Sequence, residues 1–275
     1  MISVNSGKRV ICRFNDVFLT VRVFGSGRKI IVAFHGYGQN GSDLQFIAGQ
    51  NPEITLYSFD LFYHGESDSP SPRPPLSHQL FHNLFEDFLL QKKIESFDLL
   101  GFSMGGKYAL SLIPDYYEQI NRLILVAPDG IKKDFWYALA TDDLLFQKLF
   151  RRMVHKPEWF FKMALFLDRI KLVDGRARKF ALHEMNTFEK RNRVYNSWVY
   201  LKKFFVSESK LMQTLNTHQI RTTFVLGEFD RIIKVREINK FANKLKYKSI
   251  ILLPTGHSGI YKKFVEKSEL ILMDH

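Results

Sequence analysis

The chain holds one cysteine, Cys12, in 275 residues. An intrachain disulfide is therefore excluded, and the usage fits a reducing compartment. Cys12 sits in an alternating stretch near the start, away from every candidate site, and reads as a small strand residue. No apolar run approaches the 18 residues a membrane-crossing helix needs. Residues Met1 to Asn15 lack the apolar core and small-residue cleavage site of a secretory signal. These absences predict a cytoplasmic protein without a transmembrane segment. The net charge is +12. Yet no Lys/Arg run is long enough for a nucleic-acid arm and no nucleic-acid-binding motif is present, so nucleic acid is not expected as a partner. Internal repeats and low-complexity linkers are also missing; only Ser69 to Pro75 is Pro/Ser-rich, and it reads as a surface loop.

What is present is an ordinary globular balance, 45% hydrophobic and 25% charged, with aromatics high at 15% and 26 Phe. That excess suggests an apolar cavity or a second hydrophobic layer. Val10 to Phe14 and Phe18 to Phe24 alternate with period two around Asn15-Asp16, a hairpin signal. Runs with little alternation follow at Lys29 to Phe34, Ile54 to Phe59, Phe97 to Leu100, Leu123 to Val126, Thr222 to Leu226 and Ser249 to Leu253, as strands buried on both faces require. Helical patterns sit between several of them, at Leu76 to Lys92, Gly106 to Ile113, Val235 to Leu245 and Ile260 to Leu272. Leu80, Phe81, Leu84, Phe85, Phe88 and Leu89 form a stripe of period 3.6. The alternation predicts an α/β fold, a mostly parallel sheet of about eight strands covered by helices on both faces. The rhythm breaks between Asp129 and Ser207, where no strand-like run stands out. This predicts a core in two parts, residues 1–128 and 207–275, with a helical insertion at 129–206.

The sharpest local signal is Gly101-Phe102-Ser103-Met104-Gly105, which follows an apolar strand and opens a helix. A nucleophilic serine needs that setting: a strained turn lifts its Oγ clear of the sheet, and flanking glycines make room for the backbone. Serine also needs a base, and the base needs an orienting acid. His257 and Asp230 follow the last two strand runs, at strand C-terminal ends where open α/β sheets form their sites. Asp129, after Leu123 to Val126, is the rival acid, and Glu228 a weaker one. An oxyanion hole would come from His35-Gly36-Tyr37-Gly38, with the Tyr37 N–H as one donor and the Met104 N–H as the other. No metal is expected: His78, His82 and Glu86, spaced i, i+4, i+8, border an apolar stripe without further ligands. No cofactor is needed, because nucleophile, base and acid are all side chains. Lys107 reads as packed or solvated, and His64 as a loop-ordering residue.

Over most of its length the chain resembles the α/β-hydrolase superfamily, in particular cap-bearing serine hydrolases such as carboxylesterases, carbon–carbon bond hydrolases and non-haem haloperoxidase-like enzymes. Asp60-Leu61-Phe62-Tyr63-His64-Gly65-Glu66-Ser67 is similar to that group's Asp-x-x-Gly-His-Gly-x-Ser loop, with Tyr63 in place of the first glycine. The resemblance implies the order Ser103, Asp230, His257, and implies that the helical insertion is a lid over the active site. Serine at the nucleophile position argues against dehalogenases and epoxide hydrolases, which use Asp there; Phe102 stands where many relatives have His.

Residues 129–206 carry 17 Lys/Arg against 9 Asp/Glu, with 16 aromatics including Trp136, Trp159 and Trp198. An amphipathic helical layer accounts for this. So does a lid that captures an apolar acyl or aromatic group bearing a negative charge, with the three tryptophans, His35 and Phe102 as candidate substrate contacts; so, too, does a basic lid that touches an anionic membrane. The expected activity is hydrolysis of a carboxylic ester or thioester through an acyl-serine. The alternatives are carbon–carbon bond hydrolysis or acyl transfer on the same residues, or a slow-turnover ligand receptor.

Overall fold

A computed structural model describes residues 8–71, 74–132, 135–158, 162 and 185–273. It contains an eight-stranded sheet: β1 (Lys8–Phe14), β2 (Val17–Gly25), β3 (Lys29–Phe34), β4 (Ile54–Phe59), β5 (Phe97–Phe102), β6 (Ile120–Val126), β7 (Arg221–Gly227) and β8 (Lys248–Leu253). The spatial order is β1-β2-β4-β3-β5-β6-β7-β8. Only the β1–β2 and β2–β4 pairs are antiparallel. The hairpin closes with Phe14 opposite Val17, and Asn15 takes the left-handed turn position at φ +53°, which Asn tolerates. Burial follows position in the sheet. Edge strand β1 alternates buried Val10 and Cys12 with exposed neighbours, whereas every residue of central β5 is buried.

The described helices are α1 (Phe46–Gly49), α2 (His78–Lys92), α3 (Gly105–Tyr116), α4 (Phe135–Asp142), α5 (Leu144–His155), α6 (Phe188–Tyr200), α7 (Glu208–Thr217), α8 (Val235–Ala242) and α9 (His257–Met273). Ser77 caps α2 by accepting from the Leu80 N–H at 3.1 Å, and Lys93 stops it in the left-handed conformation at φ +52°. The buried stripe of α2 meets the sheet through phenylalanines: Phe81 and Phe85 pack on Phe34, and Phe85 and Phe88 on Phe59. The other sheet face buries Ile31, Ala33, Leu56, Leu100 and Phe102 with Phe264, Ile271 and Leu272 of α9. Much of the phenylalanine excess is thus an aromatic core layer.

The chain divides into two compact units. The first comprises residues 1–69, 77–132 and 204–275 and holds the sheet; the second comprises 70–76 and 133–203. In the second, the Tyr137 hydroxyl donates to the Trp198 carbonyl at 2.9 Å, and Phe150 packs on Tyr195 and Trp198. Buried Arg191 donates to the carbonyls of Val154 and Met185. The boundaries differ from a simple 129–206 insertion. Residues 70–76, most of which fall in the Ser69 to Pro75 stretch read as a surface loop, join this unit: Leu76 is buried, and its N–H donates to the Tyr200 carbonyl at 2.8 Å. Phe204 stays with the sheet unit, where it packs on Phe81 and Tyr108.

Candidate active site

Ser103 occupies the turn between β5 and α3 at φ +48°, a conformation that costs a non-glycine residue about 1–2 kcal/mol. The surroundings hold it there. The Ser103 N–H donates to the Val126 carbonyl at 2.9 Å, and the Ser103 carbonyl accepts from the N–H groups of Gly106 (2.8 Å) and Asp129 (2.9 Å). The glycines are required by space. A Cβ at Gly105 would lie 2.1 Å from the Phe34 carbonyl oxygen, one at Gly106 2.6 Å from that of Asp129, and one at Gly101 2.8 Å from the Gly106 Cα. These close approaches let α3 start directly against β3 and aim its N-terminus at the serine.

The Ser103 Oγ lies 3.4 Å from the His257 Nε2, a long hydrogen bond of the kind that tightens in a substrate complex. On the far side of the ring, the His257 Nδ1 is 2.7 Å from the Asp230 Oδ2. The Asp230 side chain is fully buried, and its Oδ1 accepts from the N–H groups of Ile232 and Ile233, both at 2.8 Å. One carboxylate oxygen is anchored to the backbone and the other aimed at the imidazole. His257 opens α9 just after β8, and Asp230 lies in the turn after β7. The rival acids stand elsewhere. Asp129 pairs with buried Lys107 at 3.0 Å and accepts from the Gly130 N–H, while Glu228 is exposed. Lys107 is therefore packed, with its ammonium 4.7 Å above the Phe205 ring.

The loop after β3 is held by histidines. The His35 Nδ1–H donates to the Gly36 carbonyl at 2.7 Å, and its Nε2 accepts from the Leu61 N–H at 3.0 Å. Burial pushes the His35 pKa down to about 4. His64 donates through Nδ1 to the Phe62 carbonyl and accepts at Nε2 from the Gly38 N–H at 3.0 Å. The Gly36 N–H donates to the Gln39 side chain at 2.8 Å. The amides on both sides of Tyr37 thus shape the loop. At the other candidate donor, the Met104 N–H makes no hydrogen bond among the described residues.

Asp60 is the hub of the neighbouring loop, fully buried and accepting from Arg22, from the Gly41 N–H at 2.6 Å and from the Glu66 N–H at 2.8 Å. Gly65 must be glycine, since a Cβ there would sit 2.2 Å from the Asp60 carboxyl carbon. Tyr63 adopts φ +66°, which explains glycine as the common residue at this place in the motif.

Two candidate substrate contacts, His35 and Phe102, are buried. His35 is fully buried, with both ring nitrogens bonded to backbone, so in this structure it shapes the loop. Phe102 is also buried; its ring packs edge-on against Tyr261 and fills the space beside Gly36. Trp198 lies on α6 among Tyr137 and Phe150. Trp159 lies outside the described residues, as does the Trp136 side chain. His82 pairs with Asp115 at 3.1 Å, and no cluster of three or more metal-binding side chains occurs among the described residues. Sequence reasoning missed Gln39, whose side chain fixes the loop; no motif marks it.

A family model described as the alpha/beta hydrolase fold matches residues 29–264. The chain belongs to the alpha/beta hydrolase family. Among curated relatives, a Mycoplasma pneumoniae protein named as an esterase/lipase is 30% identical over 118 residues, 42% of this chain and 44% of that one. The human (lyso)-N-acylphosphatidylethanolamine lipase is 33% identical over 115 residues, 41% of this chain and 34% of that one. The matched stretch thus spans less than half the length of these relatives. Solved structures share the fold over nearly the whole chain. A Thermogutta terrifontis esterase has a TM-score of 0.70 at 14% identity, covering 97% of this chain and 98% of its own. A Bacillus anthracis bromoperoxidase has a TM-score of 0.65 at 16% identity, covering 96% and 99%. No helix among the described residues is long and apolar enough to cross a membrane.

Proposed function

We propose that this alpha/beta hydrolase cleaves a carboxylic ester or thioester through an acyl-serine on Ser103. The observation that carries the reading is the relay from Ser103 Oγ through His257 to anchored Asp230. In the proposed cycle, His257 Nε2 takes the Ser103 proton as Oγ attacks the carbonyl carbon, and returns it to the leaving alcohol or thiol. Water then attacks the acyl-serine by the same route, releasing the acid and free Ser103. Asp230 holds the Nδ1–H tautomer and stabilises the imidazolium that forms. The N–H groups of Tyr37 and Met104 are proposed to receive the oxyanion, each contributing roughly 2.7–4 kcal/mol of transition-state stabilisation.

The substrate is proposed to carry an apolar acyl group. Phe229 and Ile232, either side of Asp230, are both more than half exposed, so apolar surface is on offer beside the acid. The helical unit, residues 70–76 and 133–203, is proposed to select that group. A panel of p-nitrophenyl esters of graded chain length tests the reading. Hydrolysis abolished in Ser103→Ala is expected; turnover that survives the substitution would contradict it.

A further inference from the structure

The sheet carries a cluster of charge at the edge away from Ser103. A groove of about 520 Å³ runs along the N-terminal ends of the strands. Lys29, Arg122, Arg221, Lys246 and Lys248 line it, against the single carboxylate of Asp98. β7 has seven residues, which places this groove roughly 20 Å from the end that carries Asp230.

The pairing registers show how the charges are assembled. Asp98, Arg122 and Arg221 stand side by side on β5, β6 and β7. Asp98 pairs with Arg122, at 2.6 Å from its Nε, and with Lys29 at 3.6 Å. Arg122 and Lys29 also donate to the Leu272 carbonyl at the end of α9. Arg221 is left beside another arginine, and like charges directly opposite destabilise a sheet. Among the described residues, Arg221, Lys246 and Lys248 have no carboxylate partner; Lys248 donates only to the Leu245 carbonyl. Hydroxyls continue the same face: Ser249 Oγ donates to Thr223 Oγ1 at 3.0 Å, which leaves the Thr223 O–H directed elsewhere. Tyr247 also lines the groove.

A concave row of five cations around one carboxylate, edged by hydroxyl donors, matches a group with several anionic oxygens on one small centre. We propose that this groove binds a multiply charged phosphate group, carried by a soluble oligophosphate or by a lipid headgroup. It is independent of the hydrolase site, so either can fail without the other.

The test titrates the full chain with inorganic tripolyphosphate by calorimetry. In parallel, sedimentation is measured with phosphatidylcholine vesicles with and without phosphatidylinositol bisphosphate. Binding is expected in at least one arm, weakening as salt rises. Arg221→Glu/Lys246→Glu should weaken it about tenfold or more, and the milder Arg221→Gln by less. Lys8→Glu/Arg13→Glu, on the far edge strand β1, should leave it unchanged, and all three should keep ester hydrolysis. Tripolyphosphate binding indicates a soluble ligand, and binding to the inositide vesicles alone a headgroup. No binding in either arm would overturn the proposal. So would equal losses in the groove and β1 variants, which would show a response to net charge alone.

Discussion

Two aspartates show how surroundings decide what a carboxylate can do. Asp230 has one oxygen fixed by two amides and the other against His257; Asp129 is spent on Lys107. Asp230→Asn is therefore expected to lower kcat by roughly 10⁴, through loss of the correct imidazole tautomer. Asp129→Asn should cost far less in kcat; steady-state kinetics on one ester decides, and the reverse order would move the acid to β6. His35 gives a second test. Its folded pKa is lowered from 6.5 to about 4 by burial, so below pH 6.5 the unfolded chain binds more protons at this residue. Its share of stability is complete above pH 6.5 and is lost as pH falls through 6.5 toward 4. Denaturant unfolding at stepped pH should show that decline, and His35→Gln should flatten it. In the sequence, Ser103, His257 and both candidate aspartates were legible from motif and position. What separated the aspartates was the burial of Lys107 beside Asp129, which a linear pattern does not carry.

At the level of elements, the elbow depends on α3 starting in contact with β3. Gly105→Ala would put a methyl 2.1 Å from the Phe34 carbonyl oxygen, and that backbone cannot yield as a flexible side chain would. The substitution is expected to cost about 3 kcal/mol in denaturant unfolding and to lower ester hydrolysis with it. A stable, fully active Gly105→Ala protein would show that the elbow tolerates a looser fit. All eight strands announce themselves in the sequence, because period-two alternation marks the edge hairpin and continuous apolar runs mark the parallel strands. β3 and β4 match to the residue; β6 begins three residues before its apolar run, with Ile120, Asn121 and Arg122 at the open end of the sheet. Helix α7 (Glu208–Thr217) escaped notice, since only Leu211, Thr214 and Leu215 are buried and the stripe is too thin to stand out. The tie between residues 70–76 and the helical unit was hidden for another reason: it rests on a hydrogen bond from Leu76 to Tyr200, far apart in sequence.

For the molecule as a whole, the net charge of +12 and the aromatic excess have separate destinations. Phenylalanines build the layer between α2 and the sheet, and part of the excess charge collects at the sheet edge away from Ser103. If the helical unit selects the acyl group, kcat/KM across the ester series should pass through an optimum chain length. Each methylene in a fitted pocket is worth about 1–3 kcal/mol. A flat dependence would remove selection from that unit while leaving the proposed chemistry in place. The central claim is that one residue in this chain, Ser103, is the activated nucleophile, and intact-mass spectrometry after exposure to a fluorophosphonate tests it most directly. The account predicts a single covalent adduct on the folded protein, mapped to Ser103, absent from Ser103→Ala and strongly slowed in His257→Ala. An unlabelled folded protein, or an adduct that persists in Ser103→Ala, would contradict it.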